Sequence, residues 1–199
     1  MKIALPPDAM VVIVGIAGSG KSTFAGARFA LTEILSSDAF RAMVADDEAD
    51  QSASVDAFAM LHAALRFRLR RGRLSVVDAT NVEEWSRREL LDIAARERRP
   101  AVAIVLDLSI EVCLERLRRR GVRPVPAQAV RRQQRELHRS LPTLAQEGFA
   151  AVHVIGSAEE AGGTTIERTT GPSAVRNEMS RRNRARRDDA RSSNRHRNA

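Results

Sequence analysis

The segment Gly15-Ile16-Ala17-Gly18-Ser19-Gly20-Lys21-Ser22 follows directly on the apolar run Met10-Val11-Val12-Ile13-Val14. A glycine-rich turn between a strand and a helix, closed by Lys-Ser, has the chemistry of a phosphate cradle. Gly15, Gly18 and Gly20 let the backbone curl until several N–H groups point inward, and the helix that starts near Lys21 adds its positive end. Lys21 reaches the β- and γ-phosphates, and the Ser22 hydroxyl suits Mg²⁺. Ser19 and Thr23, within and just after the loop, join the nucleotide-contact candidates. The loop predicts binding of a nucleoside triphosphate, ATP or another.

Phosphoryl transfer then asks for a group that takes or orients the acceptor's proton. Asp38, in Ser36-Ser37-Asp38 after the run Glu33-Ile34-Leu35, sits where a strand hands over to a helix, at the edge where open α/β sheets bind ligands. Capping of the next helix is the alternative role for it. Arg41, three residues on, shares its helix face and suits an acceptor phosphate. Asp78 ends Leu74-Ser75-Val76-Val77 at the same edge, fit for the acceptor or, as Asp38 also is, for contact through water with Mg²⁺ held by Ser22. Thr80 and Asn81 add uncharged groups that read a sugar or cap the helix after Glu83. A third cluster, Glu115 to Pro124, places Arg116 and Arg120 one helical turn apart and adds Arg123. Gly121 and Pro124 break the helix as an arginine-bearing lid requires. A solvated basic helix end is the plainer reading of the same residues.

These positions need a parallel α/β frame. Short apolar runs alternate with amphipathic stretches, as in βαβ units. Strands are expected at Met10–Val14, Glu33–Leu35, Leu74–Val77, Val102–Leu106 and Val152–Ile155. Helices are expected at Lys21–Ala30, Phe40–Ala45, Ser54–Arg71, Glu83–Arg98, Ile110–Arg119 and Ala127–Gln146. In the third helix Val55, Phe58, Leu61, Leu65 and Leu69 read as a core stripe, Trp85 as an anchor of its helix, and Cys113 as a small buried residue. His62, His138 and His153 lack the mutual spacing of a metal site.

The chain has 199 residues, a formal net charge of +8 and one cysteine. That composition suits one α/β domain in a reducing, cytoplasmic setting, with no bilayer-spanning run and no signal-peptide segment in Met1 to Pro7. Lysine occurs only at Lys2 and Lys21, so arginine carries the basic charge and polyanionic partners are expected. After Ile155 the sequence turns small and polar, then rich in Arg, Asn and Ser. The expected organisation is a folded domain over 1–157 and a disordered basic tail over 158–199, either inert or a weak RNA-binding arm.

The chain resembles the kinase domain of bacterial polynucleotide kinase-phosphatases, P-loop phosphotransferases. The resemblance is carried by Gly18-Ser19-Gly20-Lys21-Ser22-Thr23-Phe24-Ala25, Leu35-Ser36-Ser37-Asp38-Ala39-Phe40-Arg41, Asp46-Asp47 with Asp50-Gln51, Val77-Asp78-Ala79-Thr80-Asn81-Val82, Cys113-Leu114-Glu115-Arg116 with Arg120 and Arg123, and Glu147-Gly148-Phe149. It implies a P-loop kinase fold, a five-stranded parallel sheet in order 2-3-1-4-5 with helices on both faces and an arginine-bearing lid. It also implies transfer of the γ-phosphoryl of a nucleoside triphosphate, with Mg²⁺, to 5′-hydroxyl ends of RNA or DNA in nucleic-acid repair. Lys21 and Ser22 would hold phosphates and metal, Asp38 would act as general base, and Arg41 and Gln51 would face the acceptor. Arg116 and Arg120 would serve the donor phosphates. Phosphatase or ligase functions would come from separate partner proteins. Two other classes fit the same frame: a kinase for a sugar, antibiotic or nucleotide-sugar, with a closed acceptor pocket, and a nucleotide-gated RNA-binding module.

Overall fold

The computed structural model describes residues 1–120 and 125–170, with Arg120 described through its backbone alone. Strand β1 (Lys2–Leu5) turns into β2 (Met10–Val14), and β3 (Ile34–Ser36), β4 (Ser75–Asp78), β5 (Ala101–Leu106), β6 (Ala151–Ile155) and β7 (Thr165–Arg168) follow. Five of them form one parallel sheet in the order β3-β4-β2-β5-β6. Counted along the chain within that sheet, this is the order 2-3-1-4-5. Every residue of β2, β4 and β5 is buried, which is why these strands read as unbroken apolar runs: helices cover both faces. The helices are α1 (Lys21–Arg28), α2 (Ser37–Ala45), α3 (Ser54–Arg70), α4 (Glu84–Arg96), α5 (Ile110–Arg120), α6 (Ala127–Ser140) and α7 (Ala158–Gly163). This is the P-loop kinase fold. Among the described residues no helix is long and apolar enough to cross a membrane.

Local chemistry moves several expected boundaries. Helix α2 starts at Ser37 rather than Phe40, because the Ser36 hydroxyl accepts from Ala39 N–H and caps it. Strand β3 starts after Glu33. That side chain accepts from Ala30 N–H at 3.0 Å and from Arg168 at 2.8 Å, closing a 3₁₀ turn over Leu31–Glu33. Helix α6 stops at Ser140 instead of Gln146, two residues before Pro142, whose ring cannot continue it. The buried stripe of α3 is Ala57, Leu61, Leu65 and Leu69. Val55 lies about 240° around the helix from Leu61 at 3.6 residues per turn, and it is 80% exposed.

The largest departure is at the C-terminal side. The ordered fold continues past residue 157, so a boundary there is wrong. Ser157 caps α7, and β7 pairs in parallel with β1 in the register Lys2–Thr165 to Leu5–Arg168. Arg28 of α1 secures the turn between them, its Nε donating to the Thr164 carbonyl at 2.8 Å. Four residues with one half-buried isoleucine, Ile166, gave no readable strand pattern. Their partner β1 supplies the apolar side, with Ile3 and Leu5 fully buried. The remainder of the expected tail, 171–199, lies outside the described residues.

Candidate active site

The glycine loop leaves the end of β2 and is held from the neighbouring strand connection, Gly15 N–H donating to the Thr80 carbonyl at 2.9 Å. Gly18 takes φ +82°, and a Cβ there would collide with the Cys113 carbonyl, so α5 packs directly on the loop. Gly20, at φ +93°, is the N-cap of α1. Both positions require glycine. The end of the loop thus aims the first turn of α1 at the open edge of the sheet, which is the geometry of an anion cradle. Lys21 Nζ donates to the Ile16 carbonyl at 3.0 Å, and Arg116 Nη1 from α5 donates to the Ser19 carbonyl at 3.1 Å. The Ser19 hydroxyl is buried and makes no hydrogen bond among the described residues. Cys113 is buried under the loop as expected, and burial pushes its thiol up.

Three groups expected around the phosphates meet here. Asp78, at the end of β4, is buried, and burial raises its carboxyl above the usual carboxylate range against the opposing pull of the Ser22 hydroxyl and Lys21. Burial likewise lowers the Lys21 ammonium, while the charges of Asp78 and Asp38 act to raise it. A cationic group facing two carboxylates, with Ser22 at the same spot, offers hard oxygen donors of the kind Mg²⁺ prefers. Ser22 and Asp78 are the residues that would hold it.

Asp38 lies in the first turn of α2 but does not cap it, since Ser36 does. Its carboxylate instead pairs with Arg41 Nη2, and Arg41 Nε donates to the Glu48 carbonyl at 2.9 Å. The Asp38 side chain is 43% exposed and that of Arg41 only 7%. Asp38 is therefore the accessible member of the pair, and Arg41 stands behind it.

Asn81 departs from the acceptor role expected of it. It is buried at φ +49°, and its Nδ2 donates to the Ile13 carbonyl at 2.8 Å and the Ala79 carbonyl at 3.3 Å. Its amide clips the β4 connection to β2 and neither faces outward nor caps α4, whose N-cap is Glu83. Thr80 is half-buried beside it and lends its carbonyl to Gly15. Gln51 is exposed on the turn before α3, donating to Ala49 at 3.3 Å. Trp85 is 65% exposed rather than anchored in the core, beside a cavity of about 380 Å³ that Arg88, Glu136 and Arg139 also line. The Arg120 side chain, Arg123 and the expected lid break at 121–124 lie outside the described residues.

Two contacts carried no sequence signal. Arg87, fully buried in α4, forks onto Glu147 at 2.8 and 2.5 Å and donates its remaining nitrogen to the carbonyls of Asn81 and Val82. Gln133 of α6 accepts from Ala17 N–H inside the glycine loop at 2.8 Å. Arg87 sits in a helix that mixes arginine with glutamate and Gln133 in one rich in arginine and glutamine, and only the packing of α4 and α6 turns them inward.

A family model for an AAA domain matches residues 10–142, from the first residue of β2 to just past the end of α6. The chain belongs to that family. Among solved structures, this AAA domain is similar to a chain of the Pnkp1/Rnl/Hen1 RNA repair complex, with 25% identity and a TM-score of 0.58, covering 70% of this chain and 47% of that one. It thus spans about half the length of the Pnkp1 complex chain it matches. A chain of the AvrRxo1-ORF1:AvrRxo1-ORF2 complex superposes with a TM-score of 0.61 at 18% identity, covering 77% and 56%. A chain of the PezAT chromosomal toxin-antitoxin system of Streptococcus pneumoniae superposes at 0.56 and 14% identity, over 94% and 88%. The last two share the fold. No curated protein matches the sequence.

Proposed function

We propose that this AAA domain is a polynucleotide 5′-hydroxyl kinase that uses ATP or another nucleoside triphosphate and Mg²⁺. The observation that carries the reading is Asp38, buttressed by Arg41 and half-exposed at the sheet edge that also holds Lys21, Ser22 and Asp78. The likeness to the chain from an RNA repair complex supports a nucleic-acid acceptor. In this reading the loop amides and Lys21 hold the β- and γ-phosphates. Asp38 takes the proton as the 5′-oxygen attacks the γ-phosphorus, the bond to the β-phosphate oxygen breaks, and the nucleoside diphosphate leaves. Mg²⁺, when bound at Ser22 and Asp78, neutralises phosphate charge. Arg116 steadies the loop through Ser19 and lies next to the donor; Arg120 and Arg123 belong to the same donor group. Pnkp1 is found with Rnl and Hen1, and partner proteins are part of this reading.

One observation favours a different acceptor. The segment that receives Arg41 carries Asp46, Asp47 and Glu48, all exposed, so the surface there is acidic rather than a basic channel. A small uncharged alcohol suits such a rim better than a phosphodiester chain does.

Incubation with γ-labelled ATP, Mg²⁺ and 5′-hydroxyl RNA and DNA oligonucleotides, beside 5′-phosphorylated controls, separates the two. Label on the 5′-hydroxyl strands alone is the expected result. No label on any strand, with ATP bound and with transfer to a sugar alcohol, overturns the polynucleotide reading.

A further inference from the structure

One peptide unit of the glycine loop, Ile16–Ala17, is gripped from both ends. Its carbonyl accepts from Lys21 Nζ at 3.0 Å, and its N–H donates to Gln133 Oε1 at 2.8 Å. The result is a chain of polar contacts from the Gln133 amide, through one backbone peptide, to the Lys21 ammonium. Hydrogen bonds in series polarise one another, so an acceptor on the N–H end makes the carbonyl end a better acceptor for the cation. The peptide also cannot rotate without breaking one of the two bonds. Gln133 reaches this point from α6, an element far along the chain, and it is half-buried there. The rest of α6 is fixed independently. Val130 and Leu137 are buried in the core, and His138 Nε2 lies 3.0 Å from Asp107 Oδ1. Gln133 is therefore presented by a rigid helix, not by a wandering side chain.

We propose that Gln133 is a positioning residue for Lys21: by holding the Ile16–Ala17 peptide, α6 sets where the phosphate-binding ammonium rests and so tunes nucleotide affinity. The proposal rests on the reading of Lys21 as a phosphate ligand. A role in packing alone would act on stability and would not depend on Lys21.

The test is a double-mutant cycle with ATP binding as readout. Gln133→Leu is expected to weaken ATP binding by roughly three- to tenfold, the value of one hydrogen bond. In a Lys21→Met background the same change is expected to alter affinity less than about twofold, because non-additivity marks a shared mechanism. Gln133→Glu keeps an acceptor for Ala17 N–H and restores the Lys21 contact. Equal losses in both backgrounds, or no loss in either, overturn the proposal. The chain has two lysines, Lys2 and Lys21, so a sample labelled at lysine Nζ gives a second readout that needs no nucleotide. Gln133→Leu, or Gln133→Asn should the leucine variant fail to fold, is expected to move the Lys21 signal and leave that of Lys2 in place. An unmoved Lys21 signal overturns the link. Failure of the wild-type protein to bind ATP, with the Lys21 signal still responsive, removes the phosphate-ligand reading and keeps the contact.

Discussion

Arg41 holds Asp38 from one turn further along α2, giving Nη2 to the carboxylate and Nε to the Glu48 carbonyl at 2.9 Å. A guanidinium locked at two of its nitrogens fixes the rotamer of the carboxylate it faces. Asp38→Ala is expected to lower transfer by roughly 10²–10⁴-fold, the usual contribution of a general base, with ATP affinity unchanged. Turnover within about tenfold of wild type would exclude Asp38 from proton transfer. Arg41→Lys keeps the charge but loses the fork. It is expected to reduce turnover with little change in the acceptor's KM; a rise in KM alone would place Arg41 on the acceptor instead of behind Asp38.

The phosphate loop and the core strands were legible because each rests on a local rule. Glycines at positions of positive φ precede Lys-Ser, and buried strands spell themselves as apolar runs. The positions of Asp38 and Asp78 were legible from the strands before them: Asp78 closes a buried run, and Asp38 follows the short strand β3 at the start of α2. What stayed hidden depends on partners distant in the chain. Asn81 looks like an acceptor ligand until Ile13, 68 residues away, accepts its amide. Gln133 and Arg87 look solvated until Ala17 and Glu147 are brought to them. Strand β7 has almost no pattern of its own, and β1 at the other end of the domain completes it.

Arg87 and Glu147 form an ion pair in which the arginine is entirely buried and the glutamate side chain is 10% exposed. Removing one partner leaves an uncompensated buried charge, typically worth 3–5 kcal/mol. Glu147→Ala is expected to lower stability by about that much and to loosen the Asn81–Val82 turn that Arg87 also holds. The double variant Arg87→Met, Glu147→Leu is expected to recover most of the loss. Denaturant unfolding of Glu147→Ala, of the double variant and of its two single parents measures it, and additive losses would show that the pair does not act as a unit.

Because β7 covers β1, chain length controls stability at a specific place. A chain ending at Ser157 loses the strand that shelters Ile3 and Leu5 and the carbonyls that Arg28 binds. It is expected to melt several degrees below a chain ending at Thr170, roughly 2–4 °C for each kcal/mol in a domain of this size. Equal melting temperatures would mean that the β1–β7 pair contributes nothing to the fold. Comparing the chain ending at Thr170 with the full chain then isolates 171–199, which holds nine arginines against three acidic residues. If that segment binds nucleic acid through phosphates, its removal is expected to flatten the salt dependence of binding as well as weaken it.

Asp78 gives the site a pH-dependent cost. Burial raises its folded pKa above the unfolded value, so between the two the native state keeps a proton that the unfolded chain has lost. Stability therefore falls as pH rises through that window, and the full cost stands above the folded pKa. Asp78→Asn removes the charge without changing the size of the side chain. The variant is expected to melt above the wild type at pH 7 without ligand. The gap is expected to shrink on acidification and to close below about pH 4, near the ordinary aspartate pKa. In the presence of Mg²⁺ and ATP the order is expected to reverse, because the cation repays the desolvated carboxylate in the wild type alone. A variant that stays the more stable of the two with Mg²⁺ and ATP bound would remove Asp78 from the metal site, and melting curves over pH with and without ligand read both halves of the prediction.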